Sequence, residues 1–185
     1  MKDIHKVELR HLKMSDYSQL RESMIMSYHD MQESIWSKKH IQKLMDIFPN
    51  GQIVILADDH IVGCALSIMI DWDSLDEEHT YAEVTGNFTF STHDPDGDIL
   101  YGIDIFISPE YRGLRLGRRL YDARKELCET MNLKGIIFGG RIPLYSKYAD
   151  ELTPKEYITK VSRKEIYDPV LSLSLIHISE PTRRA

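Results

Sequence analysis

Tyr111-Arg112-Gly113-Leu114-Arg115-Leu116-Gly117-Arg118-Arg119-Leu120 decides how this chain is read, because it follows an apolar run, Ile103 to Ile107, and opens a strongly helical one. A strand that enters a helix through a glycine-containing turn builds an anion site. The first N–H groups of a helix have no intrahelical acceptor, the helix dipole adds partial positive charge, and glycine lets the backbone approach a phosphate closely. Leu100 to Ile107 is therefore expected to be the central strand. Leu116 to Met131 is expected to be the helix after it, with Leu116, Leu120, Ala123, Leu127 and Met131 toward the sheet. Arg118, Arg119, Arg124 and Lys125 then fall elsewhere on the helix surface, with Arg118 or Arg119 in the first turn and within reach of a phosphate.

Outward from this stretch the composition sets bounds. A chain of 185 residues suits one domain with a sizeable core. No apolar segment reaches the ~18 residues needed to span a bilayer, and the N-terminus lacks a signal-peptide core, so no membrane partner is expected and the cytoplasm is the expected location. A formal charge of -6 without a basic, aromatic-interleaved face argues against nucleic acid. Cys64 and Cys128 lack CxxC or zinc spacing and read as reduced core or half-buried thiols; the eight histidines show no ligand spacing, and no metal is expected. The aspartates of Asp94-Pro95-Asp96-Gly97-Asp98 suit an Asx turn rather than a calcium loop.

The order of elements is legible from periodicity. Val7 to Arg10 reads as a first strand. Ser15 is expected to cap a helix with Tyr17, Leu20, Met24, Tyr28 and Met31 on its apolar face. A second helix starts near Ser37 and stops at Pro49-Asn50-Gly51. Gln52 to Ala57 and Ile61 to Ile70, separated by Asp58-Asp59-His60, read as an antiparallel hairpin. Residues 71–98 form a covering insertion with a helical turn around Tyr81 to Val84. A strand, Gly135 to Gly139, and two short helices, Leu144 to Asp150 and Thr153 to Val161, complete a mixed α/β sheet flanked by helices in one domain, residues 1–170.

Arg112 to Gly117 resembles the Gln/Arg-x-x-Gly-x-Gly/Ala element of the GNAT N-acyltransferases, and the hairpin Ile53 to Gly63 resembles the one in that family ending in Val-Gly. Leu144-Tyr145-Ser146-Lys147-Tyr148-Ala149 resembles its Leu-Tyr-Glu-Lys-x-Gly segment. The resemblance implies a GNAT-like fold and acetyl-CoA as cosubstrate. Its pyrophosphate would lie on Arg112, Gly113, Leu114, Arg115, Leu116, Gly117 and Arg118, and its thioester on the backbone of Ile105, Phe106 and Ile107. Tyr145 takes by position the role of the acid that protonates the departing thiolate. One position departs from the pattern: Arg115 stands where the family usually has glycine. Over residues 101–170 the wording is closer to the GNAT domains that precede a nitrilase-like carbon–nitrogen hydrolase domain, which implies a covalently linked hydrolase partner. The segment Leu173 to Arg183 resembles a translated sequencing-library adapter, so 171–185 is read as a non-native or disordered tail.

Acetyl transfer to an amine requires an unprotonated nucleophile. A lysine-like ammonium with a pKa of about 10.4 must lose its proton at pH 7, at roughly 4.6 kcal/mol, so a positioned base matters. Asp104, alternating with Ile103 and Ile105, is one candidate; a structural pairing with an arginine is the competing account of the same carboxylate. Glu83 in the covering insertion is the second candidate base, and its competing account is a solvent-exposed helix carboxylate. The resulting expectation is an acetyl-CoA-dependent N-acetyltransferase acting on a small-molecule or peptide amine. The alternative is a non-catalytic CoA-binding module that regulates an attached nitrilase-like enzyme.

Overall fold

The computed structural model describes residues 4–28, 31, 35–74, 79–140, 142–168 and 170–172. The chain divides into two compact units, Met1–Phe138 and Gly139–Ala185. The first contains five strands, β1 (Val7–His11), β2 (Ile53–Ala57), β3 (His60–Ile70), β4 (Ile99–Ile107) and β5 (Gly135–Phe138), in spatial order β1-β2-β3-β4-β5. All neighbours are antiparallel except β4 and β5, which are parallel. The expected hairpin and mixed sheet are present, but β3 occupies the middle of the sheet and β4 lies one strand from its edge.

Helices cover both faces. On one, α1 (Tyr17–Ser27) and α2 (Lys38–Ile47) bury Leu20, Met24, Ile41 and Leu44 against Val54, Cys64, Leu66 and Ile68. On the other, Leu116 and Leu120 of α4 (Leu116–Thr130) pack on Ile53, Ile55, Val62 and Ala65. The short α3 (Tyr81–Val84) follows β3 and is closed by a reciprocal cap between Thr80 and Glu83. Ser37 caps α2 as expected, its hydroxyl accepting from the His40 N–H at 3.3 Å. Ser15 does not cap α1. It lies in a 3-10 turn, Met14–Asp16, and Asp16 precedes the helix, its carboxylate held by Lys13 N–H at 2.8 Å and by Arg10 at 2.7 and 2.9 Å. Nor does α1 extend to Met31: it ends at Ser27, and Tyr28 leaves the helical conformation.

The departure that matters most is in β4. Leu66 pairs with Asp104 but Ser67 pairs with Gly102, so Ile103 is an extra residue, a β-bulge. A bulge reverses the alternation beyond it. Ile99, Tyr101 and Ile103 pack with the α1/α2 face, Phe106 stays on that face, and Ile105 and Ile107 pack with α4. Ile103 and Ile105, between which Asp104 alternates in sequence, thus lie on opposite faces of the sheet.

Arg124 holds the bulge. Its Nη2 donates to Leu66 O at 2.6 Å and to Asp104 O at 2.5 Å, one carbonyl from each strand, while Nε donates to Ser67 Oγ at 3.2 Å. The residue is only 1% exposed, which overturns its assignment to the helix surface. The stripe Leu116, Leu120, Arg124, Cys128 is the buried line of α4, spaced by four. Gly102 makes room for the guanidinium, since a Cβ there would lie 2.9 Å from Nη1. Burial works against this charge, and no carboxylate side chain hydrogen-bonds it among the described residues.

In the second unit, α5 (Pro154–Ser162), within the expected helix Thr153 to Val161 but for its last residue, begins with a reciprocal cap between Thr153 and Glu156. Residues 145–147 form a 3-10 turn instead of the expected helix over Leu144 to Asp150, with Pro143 two positions before it. Asp168 is fully buried and accepts from Tyr157 Oη at 2.7 Å and from the N–H groups of Val170 and Leu171 at 3.0 and 2.8 Å. Burial and this carboxylate push the Tyr157 phenol up to about 12. Leu171 is buried against Tyr157 and Val161. The segment 173–185, where the adapter-like reading falls, lies outside the described residues.

Arg124→Met removes donors from two carbonyls and a hydroxyl that stay buried, so it should destabilise the fold by about 2–4 kcal/mol in urea unfolding. A loss below about 1 kcal/mol would show that the bulge does not depend on this side chain.

Candidate active site

The bulge opens a fork. Pairing of β3 with β4 continues to Gly63 and Ile107, whereas pairing of β4 with β5 ends at Gly102 and Phe138. Beyond Ile103 the edge of β4 that faces away from β3 has no strand beside it among the described residues. Ser108 N–H donates to Val62 O at 2.8 Å, which sets the alternation: Phe106 and Ser108 address β3, while Ile105 and Ile107 present their peptide groups to the open side. Ile107 O accordingly accepts from Arg112 Nε at 3.2 Å rather than from a strand. Ile105 and Ile107, expected to offer backbone N–H groups, thus have their peptide groups on the open side, the Ile105 N–H also lying against the Asp104 carboxylate, while Phe106 is turned toward β3.

The fork leads directly into the glycine turn. A 3-10 turn, Pro109–Tyr111, is followed by Gly113 at φ +82 and Arg115 at φ +58, and α4 begins at Leu116. A Cβ on Gly113 would meet nothing within 4 Å, so this glycine is required for its backbone conformation and not for space. Arg119 N–H is the first to find a helical carbonyl, that of Arg115 at 3.4 Å. The N–H groups of Leu116, Gly117 and Arg118 are therefore available at the positive end of a fifteen-residue helix. Arg112, Arg115, Arg118 and Arg119 are all exposed around them. Four guanidinium groups and a helix start make a site for a polyanion.

On the opposite face of the same strand sits Asp104. Its Oδ1 accepts from Tyr28 Oη at 2.6 Å and its Oδ2 from Trp36 Nε1 at 3.0 Å. The sequence alternative, a carboxylate paired with an arginine, takes an indirect form: Arg124 hydrogen-bonds the Asp104 carbonyl and favours the ionised carboxylate by its charge, while Tyr28, Trp36 and the Ile105 N–H hydrogen-bond the side chain. Burial pushes the Asp104 carboxyl up from its ordinary 3.8, and the hydrogen bonds from Tyr28 and Trp36 limit that rise. A raised carboxyl pKa moves a carboxylate toward the range of a useful base. Tyr81 Oη donates to Ile103 O at 2.9 Å, tying α3 to the bulge residue. Tyr28, Trp36, Tyr81 and Arg124 escaped sequence reasoning as site residues; only Arg124 carried a usable signal, its place on the four-residue stripe of α4.

Residues 17–146 match the model of the acetyltransferase (GNAT) family. This chain belongs to the GNAT acetyltransferase family. The chain is similar to two Bacillus subtilis (strain 168) proteins, "Uncharacterized N-acetyltransferase YkwB", 35% identical over 144 residues, and "Probable hydrolase YhcX", 43% identical over 142 residues. These matches cover 78% and 77% of this chain but 64% and 28% of the respective relatives, so the chain spans less than two thirds of either. Among solved structures, the loading GNATL domain of CurA from Lyngbya majuscula aligns over 95% of this chain and 85% of its own, with TM-score 0.79 and 23% identity. The GphF GNAT-like decarboxylase in complex with isobutyryl-CoA aligns over 92% and 84%, with TM-score 0.69 and 20% identity. At such identities these likenesses establish the GNAT fold alone.

The remaining candidate residues, with His93 near them in sequence, are placed as follows. Glu83 Oε2 accepts from both Thr80 N–H and Thr80 Oγ1 at 2.7 Å, and these bonds hold its carboxyl below the ordinary value. It serves as a helix cap, which disfavours proton uptake. Tyr145 is half-buried in the second unit, its ring edge-on to Tyr157 and its hydroxyl donating to Leu152 O at 2.9 Å. His93 stacks on Phe48, and its Nδ1 accepts from Met69 N–H at 3.1 Å, a structural role. Cys64 and Cys128 are buried free thiols, and burial pushes both up, away from the thiolate form.

The turn explains why GNAT sequences favour glycine where this chain has Arg115: the position is left-handed, and a Cβ there costs about 1 kcal/mol or more. Arg115→Gly should raise the melting temperature by a few degrees, and Gly113→Ala should lower it by a similar amount despite the free space around Gly113. Equal melting curves for both variants would remove the backbone argument.

Proposed function

We propose that this domain transfers an acetyl group from acetyl-CoA to a primary amine by direct attack, with no metal and no covalent enzyme intermediate. The observation that carries the reading is the open edge of β4 running straight into a helix start ringed by four exposed arginines. A thioester on the edge and a diphosphate on the helix start would be held by one continuous stretch of backbone. In this reading Ile105 and Ile107 N–H polarise the thioester carbonyl, and Phe106 sets the strand between them. Arg112, Gly113, Leu114, Arg115, Leu116, Gly117 and Arg118 bind the diphosphate. Asp104 takes the proton of the attacking amine, and the motif resemblance assigns protonation of the thiolate to Tyr145, whose hydroxyl donates to Leu152 O. Support comes from the N-acetyltransferase name of one relative and from the isobutyryl-CoA complex of a GNAT-like fold neighbour.

The YhcX match covers 28% of a protein named as a probable hydrolase, which supports a second part of this proposal: the domain works covalently linked to a nitrilase-like hydrolase. We place it in the cytoplasm; no helix of the described residues is long and apolar enough to cross a membrane. Release of free thiol from acetyl-CoA, measured with a panel of primary amines, tests the transfer. Turnover indistinguishable from buffer hydrolysis alongside measurable CoA binding would leave the regulatory module instead.

Gly117→Glu should weaken CoA binding at least tenfold in isothermal titration, because a carboxylate would enter the first helical turn beside the diphosphate. Unchanged affinity would remove the turn from the site. Asp104 gives a pH prediction with a fixed sign. A base must be ionised, so the rate should fall as pH drops through the raised Asp104 value, and Asp104→Asn should lower the plateau and abolish that limb. The same shift affects stability in the opposite sense: the folded chain binds this proton more tightly than the unfolded chain. The Asp104 contribution therefore worsens as pH rises from the ordinary carboxylate range through the raised value. A wild-type acid limb that persists in Asp104→Asn would assign it to another group.

A further inference from the structure

The proposed reaction leaves the acceptor unnamed, and a collar of aromatic rings around Asp104 has no part in binding the diphosphate. The collar closes on itself. Trp36 Nε1 donates to Asp104 Oδ2 at 3.0 Å; the Trp36 ring lies 6.1 Å from that of Phe88, and Phe88 lies 6.0 Å from Tyr81. Tyr81 Oη returns to β4 at Ile103 O, the residue before Asp104. Tyr28 completes the floor, with its hydroxyl on Asp104 Oδ1 and its ring edge-on to Phe106 at 5.5 Å. Phe90 backs Trp36 from the core at 5.7 Å.

Two features separate this collar from ordinary core. Phe88 and Tyr81 are 42% and 36% exposed, whereas Trp36 behind them is 8% exposed, so the ring has an outer rim and an inner wall. The backbone that presents the rim is also held against its preference: Gly86, Asn87, Phe88 and Phe90 lie at φ +58, +53, +65 and +57. Bulky residues avoid this region, and an exposed Phe88 recovers little from burial. The turn is fixed by Asn87 N–H to Ala82 O at 2.7 Å, Phe90 N–H to Thr85 O at 2.8 Å and Phe88 N–H to Thr85 Oγ1 at 3.3 Å.

Resting on the acyl-transfer reading, we propose that the collar is the acceptor site and that the acceptor is a primary monoamine with an apolar, aromatic side group and no carboxylate. The aromatic faces attract an ammonium group and the apolar substituent attached to it. The Asp104 carboxylate supplies the counter-charge as the amine enters, then accepts its proton. A carboxylate on the acceptor would be brought toward Asp104, a like charge in a half-buried setting. Arg124, the buried cation of this region, directs Nε and Nη2 to Ser67 Oγ, Leu66 O and Asp104 O, and its Nη1, which has no hydrogen-bond partner among the described residues, lies beside Gly102.

The test pairs phenethylamine with phenylalanine, which share ring and amine and differ by the carboxylate, using the full chain, acetyl-CoA and free-thiol release. Phenethylamine should be preferred by at least about tenfold in kcat/KM, and Phe88→Ala should raise its KM by about tenfold while leaving the KM for acetyl-CoA unchanged. Equal or better use of phenylalanine, or no effect of Phe88→Ala, overturns the assignment. Binding is read separately by fluorescence in a Trp72→Phe background, which leaves Trp36 as the sole tryptophan and alters a half-exposed residue outside the collar. If no amine is acetylated, the acyl-transfer reading falls. The collar then stands on saturable quenching of Trp36 by phenethylamine, weakened in Phe88→Ala, and falls if there is no quenching.

Discussion

A guanidinium that no carboxylate side chain hydrogen-bonds among the described residues, that of Arg124, joins Leu66 O and Asp104 O where β4 gains an extra residue, and the rest of the site depends on that join. A bulge is unstable if the carbonyls it frees are left unpaired in an apolar interior. Arg124 donates from Nη2 to a carbonyl of each strand at once and from Nε to Ser67 Oγ, a planar set of donors on two nitrogens that the single ammonium of lysine cannot reproduce. The price is a buried charge, tolerated because three neutral acceptors surround it. Gly102 is the complementary concession, since any side chain there would meet the guanidinium.

Two consequences follow from the bulge, one on each side of β4. On the edge, β5 pairs only as far as Gly102, and the peptide groups of Ile105 and Ile107 are turned to the opening. On the α1/α2 face, Asp104 is delivered to Tyr28 and Trp36 instead of continuing the alternation set by the first half of the strand. One irregular residue thus places both an open backbone edge and a carboxylate with a raised pKa on one short stretch of chain. The turn at the start of α4 is built by different means. It uses local backbone chemistry, Gly113 and Arg115 in left-handed conformations, and a helix whose first N–H groups point outward.

The GNAT fold accommodates the covering insertion over this site. Segment 79–98 adds α3 and a turn rich in left-handed residues, and it is tied back to the sheet through Tyr81 at Ile103 and through His93 at Met69. Those two anchors fix the insertion at both ends of its described span. Phe88 is left at the rim between them. The second unit has a separate logic: Asp168 satisfies the N–H groups of Val170 and Leu171 and the Tyr157 hydroxyl, so a small cluster is organised around one buried carboxylate.

Much of this was legible in the residues alone. The hairpin, the caps at Ser37 and Thr153, the order of strands and helices and the turn from Arg112 to Gly117 all rest on interactions between residues close in sequence, and short-range patterns report short-range physics. The face to which Asp104 points, the burial of Arg124 and the assembly of Tyr28, Trp36, Tyr81 and Phe88 around one carboxylate were not legible. They depend on the register between β3 and β4 and on contacts that span up to 76 residues. A charged residue on a helix reads as solvent-facing until its environment is known, because a sequence records the charge and not the carbonyls that wait for it. The chain by itself determined its family, its glycine turn into a helix start and its mixed sheet; only tertiary structure, by inserting one unpaired residue and burying one cation beneath it, decided where Asp104 and the open edge of β4 would sit.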